Sequence, residues 1–118
     1  MQHVKWRGKM NEPVKILAFA GSLRRHSLNK RVLNIVVNGA KQAGADVTYV
    51  DLNDYPMPIY NADEQAKNGM NDNAVRLQKL LFENQGLLIA TPSYNGSLSG
   101  VLLNTFDWLS RANSAYAK

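Results

Sequence analysis

A polar loop at residues 21–29 follows the first apolar run of the chain, residues 14–20. The apolar run has the composition of a buried strand, and a helical pattern begins directly after the loop. A tight strand-to-helix turn directs backbone N–H groups and the positive end of the helix toward one point, which suits a phosphate. The polar side chains of this loop include Ser22, Arg24, Arg25, Ser27 and Asn29. We therefore predict that residues 21–29 bind a phosphate.

A second loop, residues 91–100, is dense in groups that form hydrogen bonds without carrying charge. It follows another apolar run, residues 86–91. Gly96 and Gly100 would let the backbone come close to a flat ligand, and Tyr94 supplies an aromatic ring. A loop for a phosphate together with a loop for a planar heterocycle indicates a mononucleotide site.

Alternating strands and helices must position these two loops. The patterns predict strands at 14–20, 47–51 and 86–91 and helices at 28–43, 74–83 and 100–111. Such an order gives parallel strands covered by helices. Ligands of an open parallel sheet bind beyond the carboxyl ends of its strands, where both loops lie. Residues 53–70 are predicted to be a long irregular segment.

Helix caps and inward faces can be predicted as well. Ser27 and Ser99 are expected to cap the first and third helices. Helical spacing predicts that the inward side chains of the three helices are Leu28, Val32, Ile35, Val36 and Ala40; Val75, Leu77, Leu80, Leu81 and Phe82; and Leu102, Leu103, Phe106 and Leu109.

The composition of the chain limits the classes of function that we expect. The chain has 118 residues, 45% of them hydrophobic, a net charge of +5 and no cysteine. Lys5, Arg7 and Lys9 supply most of that charge, so residues 1–13 are predicted to be a basic, disordered leader before a domain at 14–118. The folded body is too weakly basic for us to expect nucleic-acid binding. We expect no membrane association and no metal site, and a cytoplasmic location.

The two loops resemble motifs of the NADPH-dependent FMN reductases, a flavodoxin-like family that includes chromate, quinone and azo-dye reductases. Residues 21–29 resemble the family's G-S-x-R-x-x-S-x-N phosphate loop, and residues 92–100 resemble its P-E-Y-N-G-S-x-x-G flavin loop. Residues 103–108 resemble the L-K-N-A-I-D-W helix that follows. The resemblance implies a flavodoxin-like three-layer α/β/α fold with a parallel sheet in the order 2-1-3.

The resemblance also implies a cofactor site. The residues that would hold the FMN phosphate are Ser22, Arg24, Ser27 and Asn29. Those that would line the isoalloxazine ring and ribityl chain are Pro92, Tyr94, Asn95, Gly96 and Ser97. The implied reaction is hydride transfer from NADPH or NADH to FMN, and then onward to a quinone, metal oxyanion, azo compound or flavin. No catalytic acid or base is nominated, because the flavin carries the chemistry.

The resemblance implies an assembly too. Residues 55–63 resemble a proline-rich family segment at the dimer contact near the partner's flavin, so we expect a homodimer or tetramer. Two departures matter: Ser93 stands where the family usually has Glu, and the chain ends after its third helix. We therefore expect a C-terminally truncated protein that lacks strands 4 and 5, and whose third strand forms an apolar edge.

Several plainer interpretations stay open. The protein could be a non-catalytic truncated fragment that acts through oligomeric association. A receiver domain is disfavoured, because the first strand does not end in an acidic pair. Ser27 could serve only as a helix cap and Tyr94 only in packing. Arg25 and His26 are expected to be solvated, and Phe106 and Trp108 are expected in the core or at an oligomer contact.

Overall fold

A three-stranded parallel sheet lies at the centre of the computed structural model, which describes residues 12–111. The strands are β1 (Lys15–Ala20), β2 (Asp46–Tyr49), β3 (Gly86–Ala90), β4 (Ser93–Tyr94) and β5 (Ser97–Leu98). The strand order in the sheet is β2-β1-β3, as predicted, with Ile16 of β1 opposite Val47 on one side and Gly86 on the other. The helices are α1 (Leu28–Gln42), α2 (Ala62–Asn68), α3 (Asp72–Glu83) and α4 (Gly100–Leu109).

Strand β1 divides the core into two layers, because successive side chains of a strand point to opposite faces. Leu17 and Phe19 are fully buried against Leu77 of α3 and Leu102 of α4. Ala18 and Ala20 face the other way, where two side chains of α1 cover them. The resulting helix–sheet–helix sandwich is the predicted three-layer α/β/α arrangement.

The predicted inward face of α1 is wrong. The side chains of α1 that are buried belong to Lys30, Leu33 and Val37, whereas Ile35 is 72% exposed. The other side chains of the predicted face that are exposed are Leu28, Val32 and Val36. The helix carries two apolar stripes, so periodicity alone could not choose between them. Tertiary contacts make the choice, since one stripe packs on the β1 alanines while Lys30 reaches Asp51 in the segment after β2.

Other local predictions also need correction. The segment predicted as irregular contains a 3₁₀ turn at Leu52–Asp54 and helix α2, which begins after an Asn61 cap. Phe82 and Leu103 are exposed, although we expected them to face inward. Their places in the core are taken by Gln78 and Thr105, which are polar and almost fully buried. Polar residues escape a hydrophobic pattern but can be buried when each finds a hydrogen-bond partner.

Most of the predicted basic leader, residues 1–13, lies outside the described residues, so that prediction stays untested. Strand β3 is an end strand of the sheet, as expected, and its Leu87 is exposed. Trp108 is buried, which agrees with the first of the two places predicted for it, the core or an oligomer contact. None of the helices within residues 12–111 has both the length and the apolar character that crossing a membrane requires.

Candidate functional site

The two loops singled out in the sequence meet at Gly21, directly beyond the carboxyl ends of β1 and β3. The backbone N–H of Gly21 donates a 2.7 Å hydrogen bond to the carbonyl oxygen of Ala90. The Gly21 carbonyl oxygen accepts a 2.7 Å hydrogen bond from the Oγ of Ser99. Ser99 thus has two functions, since it also caps α4 by accepting from the N–H of Leu102. These contacts hold the phosphate loop (residues 21–29) against the hairpin loop (residues 91–100).

Glycine is required at position 21 because the two loops come so close together. A Cβ atom at this position would lie 2.8 Å from the Oγ1 of Thr91 and 3.1 Å from the Oγ of Ser99. The first distance is shorter than any ordinary contact of a carbon with oxygen, so a side chain would push the loops apart. The resemblance identified Gly21 as part of a motif, and the structure supplies the physical reason.

The phosphate loop presents backbone donors to solvent at the start of α1. Ser27 caps the helix by accepting from the N–H of Lys30 at 3.1 Å, and it is buried. Within this loop, six backbone N–H groups have no acceptor in the part of the chain that the structure describes; they belong to Ser22, Leu23, Arg25, His26, Leu28 and Asn29. Unpaired amides at a helix start carry partial positive charge, so this loop offers an anion the donors that a phosphate requires.

The charged side chains of the phosphate loop lie in solvent. Arg24 and Arg25 are both exposed, and so is His26, as expected for the last two. Ser22 is half-buried, and its Oγ accepts from the N–H of Arg24 at 3.3 Å. Asn29 is half-buried in the first turn of α1, where no acidic residue stands. The surroundings are therefore positive, which favours a bound anion.

The hairpin loop is a small antiparallel β-hairpin rather than the irregular loop that we expected. Tyr94 pairs with Ser97, and the turn between them has φ values of 50° at Asn95 and 73° at Gly96. Two successive left-handed residues make the turn type that Asn-Gly favours in hairpins. Tyr94 is 59% exposed and so does not serve as a packing residue within the described chain. Pro92, half-buried, connects β3 to this hairpin.

A polar cluster behind the phosphate loop escaped the sequence analysis. Asp51 bonds to Lys30, with Nζ–Oδ2 at 3.2 Å, and accepts from both the N–H and the Nδ2 of Asn53. Asn53 Nδ2 also donates to the carbonyl oxygen of Leu23 at 2.8 Å. Burial raises the pKa of the Asp51 carboxyl, but the hydrogen bonds from Asn53 and Lys30 outweigh it, so the net pKa is lowered. Burial, and then the Asp51 charge, raises the pKa of Tyr49.

This cluster gave no clear signal in the sequence. Lys30 is not among the inward residues predicted for α1, and Asp51 and Asn53 stand at the end of the second predicted strand and at the start of the predicted irregular segment. Only their proximity in the folded chain makes these three residues a unit. If the rotation of α1 had been known, a lysine on the face that packs on the sheet would have indicated that a carboxylate partner lies nearby.

The proline-rich segment, residues 55–63, is fixed onto α4. The carbonyl oxygen of Pro58 accepts from Asn104 Nδ2 at 2.9 Å and from Trp108 Nε1 at 2.8 Å. Asn104 Oδ1 in turn accepts from the N–H of Tyr60 at 2.8 Å. These bonds hold Ile59 outward, 87% exposed. The segment is therefore an ordered surface with an apolar tip.

A cleft of about 180 Å³ lies between the proline-rich segment, the phosphate loop and α4. Its lining includes Leu23, Tyr55, Met57, Val101 and Asn104. This volume is below the ~300 Å³ at which pockets for drug-sized ligands begin, so a nucleotide would not fit inside it. Within residues 12–111 we find no cluster of three or more His, Cys, Asp or Glu residues suited to a metal ion.

Comparison with known proteins identifies a family that matches nearly all of the chain. Residues 14–118 match a family model described as NADPH-dependent FMN reductase. The chain is 35% identical over 102 residues to an NAD(P)H-dependent FMN reductase of Pseudomonas aeruginosa, covering 86% of this chain and 53% of the relative. It is 32% identical over 106 residues to an NAD(P)H:quinone oxidoreductase of Solanum tuberosum, covering 88% and 54%.

A solved structure agrees with the fold. The flavoenzyme NAD(P)H:(acceptor) oxidoreductase of Paracoccus denitrificans superposes with a TM-score of 0.67 at 28% identity. The match covers 86% of this chain and 53% of that one. The chain spans about half the length of the curated relatives it matches.

Proposed function

The chain belongs to the NADPH-dependent FMN reductase family, and on that premise we propose that it binds FMN across its two loops as an NAD(P)H-dependent flavin oxidoreductase. The family membership rests on a match that spans nearly all of the described residues. Because the chain spans about half of its relatives, the proposal concerns the part of the site that these residues form.

The observation that carries the proposal is the row of unpaired N–H groups at the start of α1, held beside the hairpin loop by Gly21. Phosphate oxygens satisfy such amides, and a positive surround adds attraction. We assign the FMN phosphate to Ser22, Arg24, Ser27 and Asn29. Ser27 contributes mainly by capping α1, since its Oγ already accepts from the N–H of Lys30. Its hydroxyl proton is left to donate to the anion.

The hairpin loop would contact the isoalloxazine end of the flavin. We assign contacts with the isoalloxazine ring and ribityl chain to Pro92, Tyr94, Asn95, Gly96 and Ser97. An exposed two-residue turn with left-handed backbone presents few side-chain atoms, so a flat ligand can approach the main chain. The exposed ring of Tyr94 offers an apolar face beside it.

Bound FMN would supply the redox chemistry, by accepting a hydride from NADPH or NADH and passing the electrons to an acceptor. The protein would position the flavin and leave one side of it open to the nicotinamide and the acceptor. We propose a quinone as the acceptor class, since the relative from Solanum tuberosum is named for quinone. Metal oxyanions, azo compounds and free flavins are further candidates.

We propose that the protein assembles as a homodimer or tetramer. The ordered proline-rich segment with its exposed Ile59 is a surface suited to such a contact, because an apolar tip held rigid loses little entropy when it is covered. A cytoplasmic location, expected from the cysteine-free sequence, stays a prediction.

A titration with two matched variants tests the proposal. The full chain is mixed with FMN, and binding is followed by quenching of flavin fluorescence and by flavin absorbance that NADPH bleaches. Arg24→Ala should weaken FMN binding by about tenfold, the loss of one charged hydrogen bond. Arg25→Ala, equally exposed in the same loop, serves as the control and should change it little.

Two results would contradict the proposal. A chain that takes up no FMN would favour the alternative, a non-catalytic protein that acts through association. Equal losses in Arg24→Ala and Arg25→Ala would show that the loop attracts FMN by charge alone, without the assigned contacts.

A further inference from the structure

A chain of hydrogen bonds connects the segment just after β2 to both ends of the phosphate loop. One carboxylate oxygen of Asp51 contacts Lys30 Nζ at 3.2 Å, in the first turn of α1 after the loop. The other accepts from the N–H of Asn53 at 2.9 Å and from its Nδ2 at 3.0 Å. Asn53 Nδ2 then reaches the carbonyl oxygen of Leu23, near the start of the loop, at 2.8 Å. Asp51 is thus the common support of both ends.

We propose that Asp51, acting through Asn53 and Lys30, is a positioning residue that orients the phosphate loop and thereby gives the site its preference for a phosphorylated flavin. The inference rests on the proposed function, because it concerns the same loop. The assigned site residues are expected to touch FMN, whereas these three residues act on the loop from behind.

The peptide geometry gives the first part of the argument. The carbonyl of Leu23 and the N–H of Arg24 belong to one planar trans peptide, so they point in opposite directions. Asn53 fixes the carbonyl, and the Oγ of Ser22 accepts the N–H at 3.3 Å. The backbone of Arg24 is therefore held from both sides. Without Asn53 this peptide could rotate and carry the Arg24 side chain away.

The burial of Lys30 gives the second part. Its side chain is only 10% exposed, and it occupies the face of α1 that packs on the sheet. Leu33 and Val37 fill that same face with apolar groups, which would pack there at less desolvation cost than an ammonium. A charged pair at this position is the more costly choice for stability, yet it fixes the rotation of α1 relative to β2. That rotation decides where the first N–H groups of α1 point.

Charge balance gives the third part. Asp51 neutralises Lys30, so the pair adds geometry and no net charge to the site. The attraction for a phosphate is left to the loop amides and to Arg24. Loss of Asp51 would free a positive charge near the loop. A site governed by charge alone would then bind FMN more tightly, whereas a site governed by loop geometry would bind it less tightly.

The test compares FMN with riboflavin, which lacks only the phosphate. Dissociation constants for both flavins are measured with the full chain, Asp51→Asn, Asn53→Ala and the control Asp46→Asn. Asp46 is exposed at the start of β2, far from the loop end. We expect Asp51→Asn and Asn53→Ala to raise the dissociation constant for FMN by about tenfold and to leave riboflavin unchanged. Asp46→Asn should change neither constant.

A purely structural role would not produce that pattern, because partial unfolding weakens both flavins alike. Asn53 is exposed, so Asn53→Ala keeps the Lys30–Asp51 pair and keeps the test valid if Asp51→Asn fails to fold. A wild-type chain with equal affinity for both flavins would overturn the proposed function and this inference together. A wild-type chain that prefers FMN, with variants that keep that preference or strengthen it, would overturn this inference alone.

Discussion

Replacing Gly21 by alanine tests the close approach of the two loops. The added Cβ would lie 2.8 Å from Thr91 Oγ1 and 3.1 Å from both Thr91 Cβ and Ser99 Oγ. The φ of Gly21 lies outside the left-handed region, so the cost is steric and not conformational. Neither neighbour can turn away freely, since Thr91 Oγ1 donates to the Pro92 carbonyl and Ser99 Oγ to the Gly21 carbonyl.

The magnitude follows from these contacts. Overpacking of this kind costs ~1–3 kcal/mol, and we take about 2 kcal/mol for a contact that a small shift can relieve. For a domain of this size, that loss lowers the melting temperature by about 8 °C. The same shift moves the phosphate loop away from the hairpin loop, so FMN binding should weaken as well.

Urea denaturation followed by circular dichroism measures the loss, and two companion variants interpret it. Gly39→Ala is the control, because Gly39 lies on the exposed side of α1 with no atom within 4 Å of an added Cβ. It should stabilise the chain by ~0.5–1 kcal/mol. Gly21→Ala with Thr91→Ala removes the closest contact, and should recover at least ~0.5 kcal/mol relative to the sum of the single changes.

Two outcomes would refute this reasoning. Gly21→Ala could unfold at the same urea concentration as the wild type, in which case the loops have room for a side chain. The double variant could also lose as much as the two single variants together. The loss would then have a cause other than the contact with Thr91.

Three further predictions concern other parts of the fold. Leu33→Ala should cost ~3 kcal/mol of unfolding free energy, because it opens a cavity beneath α1. Ile35→Lys, on the exposed side, should change the unfolding free energy by less than ~0.5 kcal/mol. Equal losses for the two variants in urea denaturation would mean that α1 buries the face predicted from the sequence. The pKa of folded Asp51 is lower than its ordinary value of 3.8, so its ionised form stabilises the fold above that value and the gain disappears as the pH falls through the lowered pKa. Asp51→Asn should therefore be less stable than wild type at about pH 7, and the difference in unfolding free energy should shrink as the pH falls below 3.8; an unchanged gap between the two urea curves would contradict this. Gly96→Ala, at a φ of 73°, should cost ~1–2 kcal/mol locally and weaken FMN binding measured by fluorescence quenching, whereas unaltered binding would show that the turn does not contact the flavin.

The sheet and the adjacency of the two loops could be predicted because they depend on local signals. Strand-helix alternation gave parallel strands, and the carboxyl ends of parallel strands share one edge. The position of Gly21 after β1 and of Pro92 after β3 was therefore enough to expect two adjacent loops. The Ser27 and Ser99 caps were predictable for the same reason, since a cap is a contact between near neighbours in sequence.

The rotation of α1 could not be predicted, because its sequence offers two apolar stripes of similar strength. Leu28, Val32 and Ile35 fit the helical period as well as Leu33 and Val37 do. Hydrophobic periodicity shows that a helix has an apolar face, but it does not show which of two apolar faces packs on the sheet. The hairpin at Asn95-Gly96 was missed for a different reason, since strands of two residues are too short to show alternation.

By itself the sequence determined the layer architecture, the loop that offers a phosphate its donors and the family to which the chain belongs. Those properties reside in short segments whose physics is local: an apolar strand, a glycine turn and a helix start. Only the tertiary structure decided how tightly the two loops meet at Gly21 and which face of α1 is buried. It alone brought Asp51 to Lys30, because contacts between residues distant in sequence exist only once the strands and helices have packed together.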